Sequence, residues 1–336
     1  MRVIAPPARS AVERRLPPSF SLIIPAYQAA STVGDAVSSA LAQTYPAHEV
    51  IVVDDGSTDD LAGALSTFAG RIRLIRKENG GAASARNAGV AAAEGEFVAF
   101  LDADDVYGPR RLEVLGELGA ARPDLDIVTT DMSLVVDGRV VGRFNVENPF
   151  ASVDQRVAIL RSCFVGGCPA IRRSRLRAIG GFDETLVMGC DWDCLIRLIL
   201  DGSLAGLVDE PHMEYRLRPD SLTSARTASL WSRVGILEKA RANPSLRPDE
   251  RRDLARSLAS HRTRAILAEV EAALVRGELS RRQFAGYARS SGITTRARLL
   301  LALCAAAPRV GQRYLPKDPG ALGRRFHAVA SATAEQ

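Results

Sequence analysis

Aromatic residues make up only 5% of this 336-residue chain, and it has four histidines and five cysteines. The cysteines are irregularly spaced, so the sequence holds no disulfide framework. Cys190 and Cys194 stand four apart, with Cys163 and Cys168 upstream. A zinc site wants tighter pairs, and no histidine completes the set, so small buried thiols are expected. Long hydrophobic runs are missing too. Leu299 to Ala307 is the longest candidate and is too short to cross a bilayer. Met1 to Ser19 has arginines and four prolines but no apolar segment of the kind a secretory signal carries. Residues 1–19 are therefore expected to be a flexible arm, and the compartment to be the cytoplasm. No internal repeat or long low-complexity tract occurs.

What remains suits a globular protein. Hydrophobic residues are 46% and charged residues 25%. The length allows one large domain with an appendage. The net charge of +5, largely from arginine, favours anionic partners such as a membrane surface, a diphosphate or a lipid head group. It is too small to argue for nucleic acid.

Short apolar runs alternate with helical periods through about the first hundred residues. Ser21 to Pro25, Glu49 to Val53, Ile72 to Ile75 and Phe97 to Leu101 read as buried strands. Ser31 to Gln43, Leu61 to Phe68 and Ala82 to Ala93 read as helices between them. This order implies an α/β fold with a mostly parallel sheet covered on both faces. Ligands of such sheets bind beyond the carboxyl ends of the strands. The polar residues gather at those ends: Tyr27, Asp54 and Asp55, Asn79, and Asp102 with Asp104. Further on, Arg110 to Gly119 is expected to be a helix. Asp126 to Thr130 and Met132 to Val136 are expected as two strands, with a hairpin turn at Asp137-Gly138. Gly180 to Asp183 reads as a loop and Asp191 to Leu200 as a helix. From about residue 227 the composition shifts to Ala, Leu, Arg and Glu at helical spacing, so residues 20–226 and 227–336 are expected to form the α/β domain and a helical region.

Asp102-Ala103-Asp104 follows an apolar strand. In an extended segment, residues two apart point the same way, and two carboxylates can hold a hard divalent cation with phosphate oxygens. A solvated acidic turn is the plain alternative. Asp54 to Asp59 offers carboxylates to a base or ribose, and equally caps for the next helix. Asn79 to Asn87 joins a glycine turn to a helix start without the G-x-G-x-x-G pattern, which disfavours a dinucleotide. Arg86 there either faces a nucleotide or is a surface arginine. Asp191 and Asp193 open a helix, where the macrodipole favours carboxylates. The sharper reading makes Asp191 a general base.

Taken in order, these segments resemble a family 2 glycosyltransferase. The likeness is carried by Ile24-Pro25-Ala26-Tyr27, Leu41 to Pro46, Val53 to Asp59, Asn79-Gly80-Gly81, Ala85 to Gly89, Phe100 to Asp105, Gly180 to Glu184 and Asp191-Trp192-Asp193. The resemblance implies an inverting enzyme of the GT-A, Rossmann-like fold. It further implies a nucleotide-sugar donor, a carbohydrate or glycolipid acceptor, and Mn2+ or Mg2+. Pro25, Tyr27 and Asp55, joined by Arg86, match positions that hold the nucleoside. Asp102 and Asp104 match the metal and diphosphate motif, with Asp104 the direct ligand, and Asp191 matches the base. Cys190 stands where the family usually has glutamate, and Gln28 where asparagine is common. Arg218 stands where histidine is frequent and can contact diphosphate as a cation. A nucleotidyltransferase would want a Gly- and Arg-rich loop after the first strand, where this chain has Pro25-Ala26-Tyr27-Gln28. Cys190 leaves open a donor-binding module that has lost turnover. Leu299 to Leu301, flanked by Arg296, Arg298 and Arg309, reads either as a peripheral contact with an anionic membrane or as a helix packed on the catalytic domain or on a partner subunit.

Overall fold

The computed structural model describes residues 2–8, 16–166, 168–218, 226–275, 281–290 and 292–306. The chain divides into two compact units, Met1–Leu217 and Arg218–Gln336.

The first unit is built on a ten-stranded mixed sheet. Strands β2 (Phe20–Ala26), β3 (Glu49–Asp54), β4 (Arg73–Arg76) and β5 (Phe97–Phe100) are all parallel, with Ile24 opposite Val52 and Ile23 opposite Phe100. β2, β3 and β5 are buried on both faces, which is why they read as unbroken apolar runs rather than alternating ones. Helix α1 (Val33–Leu41) turns Val33, Ala36, Val37 and Ala40 to the core at helical spacing. α2 (Leu61–Leu65) and α3 (Gly81–Ala92) complete the crossovers.

The remaining strands extend the sheet beyond β5. They are β7 (Ile127–Val136), β9 (Ala170–Arg172) and β10 (Ala205–Arg216), with the short β6 (Val106–Tyr107) and β8 (Arg139–Arg143) off the main path. β9 runs antiparallel between β5 and β7, and β7 pairs in parallel with β10. The Asp137-Gly138 hairpin joins β7 to β8, with both φ angles positive (47° and 74°), as a tight two-residue turn requires.

Two expectations need correcting. The two strands expected on either side of Asp131 are one strand, β7. Asp131 is fully buried within it, because its carboxylate accepts from Met132 N at 2.7 Å, Asn145 N at 2.9 Å and Arg143 Nε at 2.6 Å. A carboxylate supplied with that many donors does not break a strand. Within the arm expected over residues 1–19, β1 (Val3–Ile4) pairs with β10, Val3 opposite Val208. Its short apolar stretch gains ladder hydrogen bonds there.

The second unit is helical among its described residues: α9 (Arg226–Ala240), α10 (Pro248–Val275), α11 (Arg281–Ala288) and α12 (Thr295–Ala306). Its core includes Ile266, Val270, Phe284, Ala288, Ile293, Leu301 and Cys304.

Candidate active site

The parallel strands deliver three polar turns to one end of the sheet. After β2, Gln28 takes φ = 51° and reaches across to the turn after β3, where its Oε1 accepts from Thr58 N at 2.8 Å and Asp59 N at 3.2 Å. Its own backbone N donates to Ser57 Oγ at 3.1 Å. Gln28 thus ties the two turns together. Beside it Tyr27 is 53% exposed, its ring free to meet a ligand, while Pro25 is half-buried in the strand.

The turn after β3 is saturated with hydrogen bonds. Asp54 accepts from Ser57 N at 2.8 Å and pairs with Arg76 at 3.4 Å. Asp55 accepts from Lys77 Nζ at 2.8 Å, from Gly80 N at 3.1 and 3.2 Å, and from Gly81 N at 2.7 Å. The Asp55 carboxylate therefore holds the glycine loop that opens α3. Gly56 sits at φ = +78°, and a Cβ there would lie 2.8 Å from Asn79 N, so this close approach needs glycine.

Arg86, one turn into α3, is buried and joins three elements. Its Nη2 donates to Asp102 Oδ1 at 2.6 Å and its Nη1 to Cys190 Sγ at 3.3 Å. Phe182 lies under the guanidinium at 5.8 Å and meets Phe100 edge to face. Asn87 fixes Phe182 by accepting from its N at 2.8 Å and donating to its O at 2.9 Å. Burial works against the Arg86 cation, but Asp102, Cys190 and Asp191 outweigh it and its pKa is raised. Cys190, where the resemblance leads one to expect glutamate, thus still partners Arg86, as a thiol whose own pKa burial pushes up.

Asp102 and Asp105 close a tight turn after β5, with Asp105 N donating to Asp102 O at 3.1 Å. This corrects the premise that Asp102 and Asp104 share one side of an extended segment. Among the described residues, the donor atoms that converge are those of Asp102, Asp105 and Cys168, all within 4.8 Å of one another, while Asp104 is half-buried in the same turn. Asp105 is 1% exposed; its Oδ1 accepts from Arg216 N at 2.9 Å and its Oδ2 has no hydrogen-bond partner. Burial, then Asp102, pushes its pKa well above the usual carboxylate range, despite the opposing Arg216 hydrogen bond. Burial also holds Cys168 as a thiol. The orphaned Asp105 oxygen beside Asp102 suits a hard divalent cation, because such an ion prefers oxygen to the sulfur of Cys168. Behind the turn, the fully buried Arg111 donates to Thr130 Oγ1 and to Cys168 O, each at 2.6 Å, and stacks on Tyr107 at 4.5 Å.

Asp191 opens α8 (Cys190–Leu200), where Gly189 at φ = 74° turns the chain into the helix. Trp192 anchors the helix start through Nε1 to Ile159 O at 2.8 Å. Asp193 pairs with Arg197 at 2.8 Å, one turn along, so it serves the helix. Burial raises the pKa of Asp191; Arg86 and the Trp192 backbone N–H pull it back. Asp191 and Arg86 line one small cavity with Phe100, Pro169, Phe182 and Leu195.

The fold thus gathers Asp102, Cys190 and Asp191 around the Arg86 guanidinium, with Pro25, Tyr27 and Asp55 on the neighbouring strand ends. Arg218 begins the second unit, and Pro219, Asp220 and Ser221 of its segment lie outside the described residues, as does Arg309. Sequence reasoning missed Lys77, Asp105, Arg111 and Cys168. Asp105 was within reach, as the third carboxylate of Asp102-Ala103-Asp104-Asp105; the other three carry no local signal.

A family model described as Glycosyl transferase family 2 matches residues 21–180. The chain belongs to this family. The succinoglycan biosynthesis protein ExoU of Rhizobium meliloti is 31% identical over 235 residues, which cover 64% of this chain and 67% of that protein. The UDP-Glc:alpha-D-GlcNAc-diphosphoundecaprenol beta-1,3-glucosyltransferase WfgD of Escherichia coli is 27% identical over 233 residues, covering 68% and 88%. The uncharacterized glycosyltransferase RP339 of Rickettsia prowazekii is 32% identical over 181 residues, covering 52% of this chain and 57% of that protein, so the chain spans little more than half of that relative. S. aureus TarS 1-349 in complex with UDP-GlcNAc shares the fold, with a TM-score of 0.60 at 21% identity over 88% of this chain and 89% of that one.

Proposed function

We propose that the chain transfers a sugar, with inversion, from a nucleotide-diphosphate sugar to an acceptor hydroxyl in polysaccharide, glycolipid or glycoconjugate synthesis. UDP is the proposed nucleotide. The observation that carries this reading is the single Arg86 guanidinium shared by Asp102 and Cys190, next to Asp191, in a chain of this family. The nucleoside lies against Pro25, Tyr27 and the Asp55 turn. Its diphosphate lies towards Asp102, with Arg218 as a further cation. The acceptor is a carbohydrate or glycolipid, not a nucleic acid.

Asp191 takes the proton from the acceptor hydroxyl as its oxygen attacks the anomeric carbon. The bond from that carbon to the diphosphate oxygen breaks, and its electron pair leaves with the nucleoside diphosphate. Two features support this role: Asp191 opens α8, and burial raises its pKa. Asp102 and Asp104, with Asp105 adjoining, would hold Mn2+ or Mg2+, which offsets charge on the departing diphosphate. No helix among the described residues is long and apolar enough to cross a membrane. The proposed place of work is the cytoplasm, at the inner face of the membrane.

The test is nucleotide release from UDP-sugars by the Asp191→Asn protein, alongside calorimetry of UDP, GDP and TDP with and without Mn2+. Turnover should fall about 100-fold or more, while metal-dependent UDP binding persists. Unchanged turnover would remove Asp191 from the role of base. A folded parent protein that binds no nucleotide would overturn the donor site.

A further inference from the structure

The modest net charge of the chain hides a division. Residues 1–217 hold 22 Lys and Arg against 29 Asp and Glu, a net of −7, whereas residues 218–336 hold 22 against 10, a net of +12. The whole basic excess lies in the helical unit. Within that unit, α12 has an unusual surface. Ala297, Leu301 and Cys304 face the core, with Leu300 and Ala305 packed against it. Thr295, Arg298, Leu299, Ala302, Leu303 and Ala306 are exposed, a stripe at helical spacing along the outer side. Leu299 is 67% and Leu303 39% exposed.

From Leu299 to Ala306 the helix carries no charged side chain on either face. A helix that is apolar all round belongs in an interior or against lipid, and one with a solvated outer face would be charged there. A second copy of the chain is a poor cover, because two units of +12 repel each other. An anionic surface satisfies both features, since it attracts the arginines and accepts the leucines. Arg282, Arg289 and Arg298 are exposed on α11, just after it, and on α12.

We propose that the outer face of α12, with the arginines of the helical unit, docks on an anionic phospholipid membrane, lying on it rather than spanning it. The inference does not depend on the transfer chemistry. The test is flotation of the full chain with vesicles of phosphatidylglycerol and phosphatidylcholine, or of phosphatidylcholine alone. The parent should bind the anionic vesicles only, and less as salt is raised. The Leu299→Glu/Leu303→Glu protein should bind about tenfold or more weakly, with its melting temperature, oligomeric state and UDP binding unchanged. Three results would overturn the proposal. One is no preference of the parent for anionic vesicles, or undiminished binding by the variant. A second is a change from dimer to monomer in light scattering, which would assign the face to a second copy. The third is a melting temperature several degrees lower, which would place the leucines against the chain itself.

Discussion

Two acidic turns stand at the same end of the sheet and are treated in opposite ways. The Asp54-Asp55 turn after β3 is filled from within, its carboxylates meeting Ser57, Arg76, Lys77, Gly80 and Gly81. The turn running from Asp102 to Asp105 after β5 is left short, with Asp105 Oδ2 orphaned and Asp102 held by the guanidinium it shares with Cys190 and by the Cys168 thiol at 3.9 Å. A saturated turn is a bracket that fixes loop geometry. An unsaturated buried one is costly to the folded state unless something arrives to complete it. Sequence alone makes the two look alike, since each is a cluster of aspartates after an apolar strand.

The comparison breaks most readily under substitution of its two leading carboxylates. Asp102→Asn should lower turnover on the order of 100-fold. Asp55→Asn should instead cost about 2–3 kcal/mol of stability, because Lys77 and two backbone N–H groups lose a buried charged acceptor. Its turnover should fall only with the folded fraction and the shape of the glycine loop. Steady-state kinetics beside urea unfolding of both proteins separates the effects. Equal stability of Asp55→Asn and the parent would dissolve the distinction between bracket and open turn.

A second effect lies in the pH dependence. In its proposed role as base Asp191 must be deprotonated, and burial raises its pKa, so the acid limb should lie above the ordinary aspartate value of about 3.9. Activity is lost as pH falls through that raised value. Arg86 opposes the shift, so Arg86→Gln should move the limb to still higher pH in whatever activity remains. A limb that stays put would uncouple Arg86 from the base.

The smallest effect sharpens the picture of the open turn. The folded pKa of Asp105 is raised above its unfolded value, so its ionisation opposes folding. That cost is absent below the ordinary carboxylate value, grows as pH rises through the folded pKa, and is full above it. Asp105→Asn should therefore be more stable than the parent at high pH, with the gain shrinking as pH falls. Paired melting curves across pH check this, and a variant less stable at every pH would contradict it.

The buried runs of β2, β3 and β5 were readable because strands covered on both faces have no alternation to obscure. Asp102, Asp104 and Asp191 could be singled out as candidates because motif order carried them. What escaped was set by tertiary contact. Asp131 reads as a break but is satisfied from Arg143 and Asn145, and β1 has no meaning without β10. Lys77 and Arg111 are ordinary cations in the sequence, and only folding places one on Asp55 and the other behind Asp105. The pairing of Asp102 with Asp105 turned on whether the chain bends after β5, which spacing did not reveal.

Strand β10 also bears on how the protein is made. It pairs with residues near the start of the chain, with Val106 and Tyr107, and along β7. The parallel quartet from β2 to β5 can assemble as it leaves the ribosome, but the flank of β7 that takes β10 stays bare until residue 216 has been synthesised. Partners this far apart close slowly, and a bare strand invites neighbouring chains. The hazardous interval in this protein's birth is thus the wait for its tenth strand.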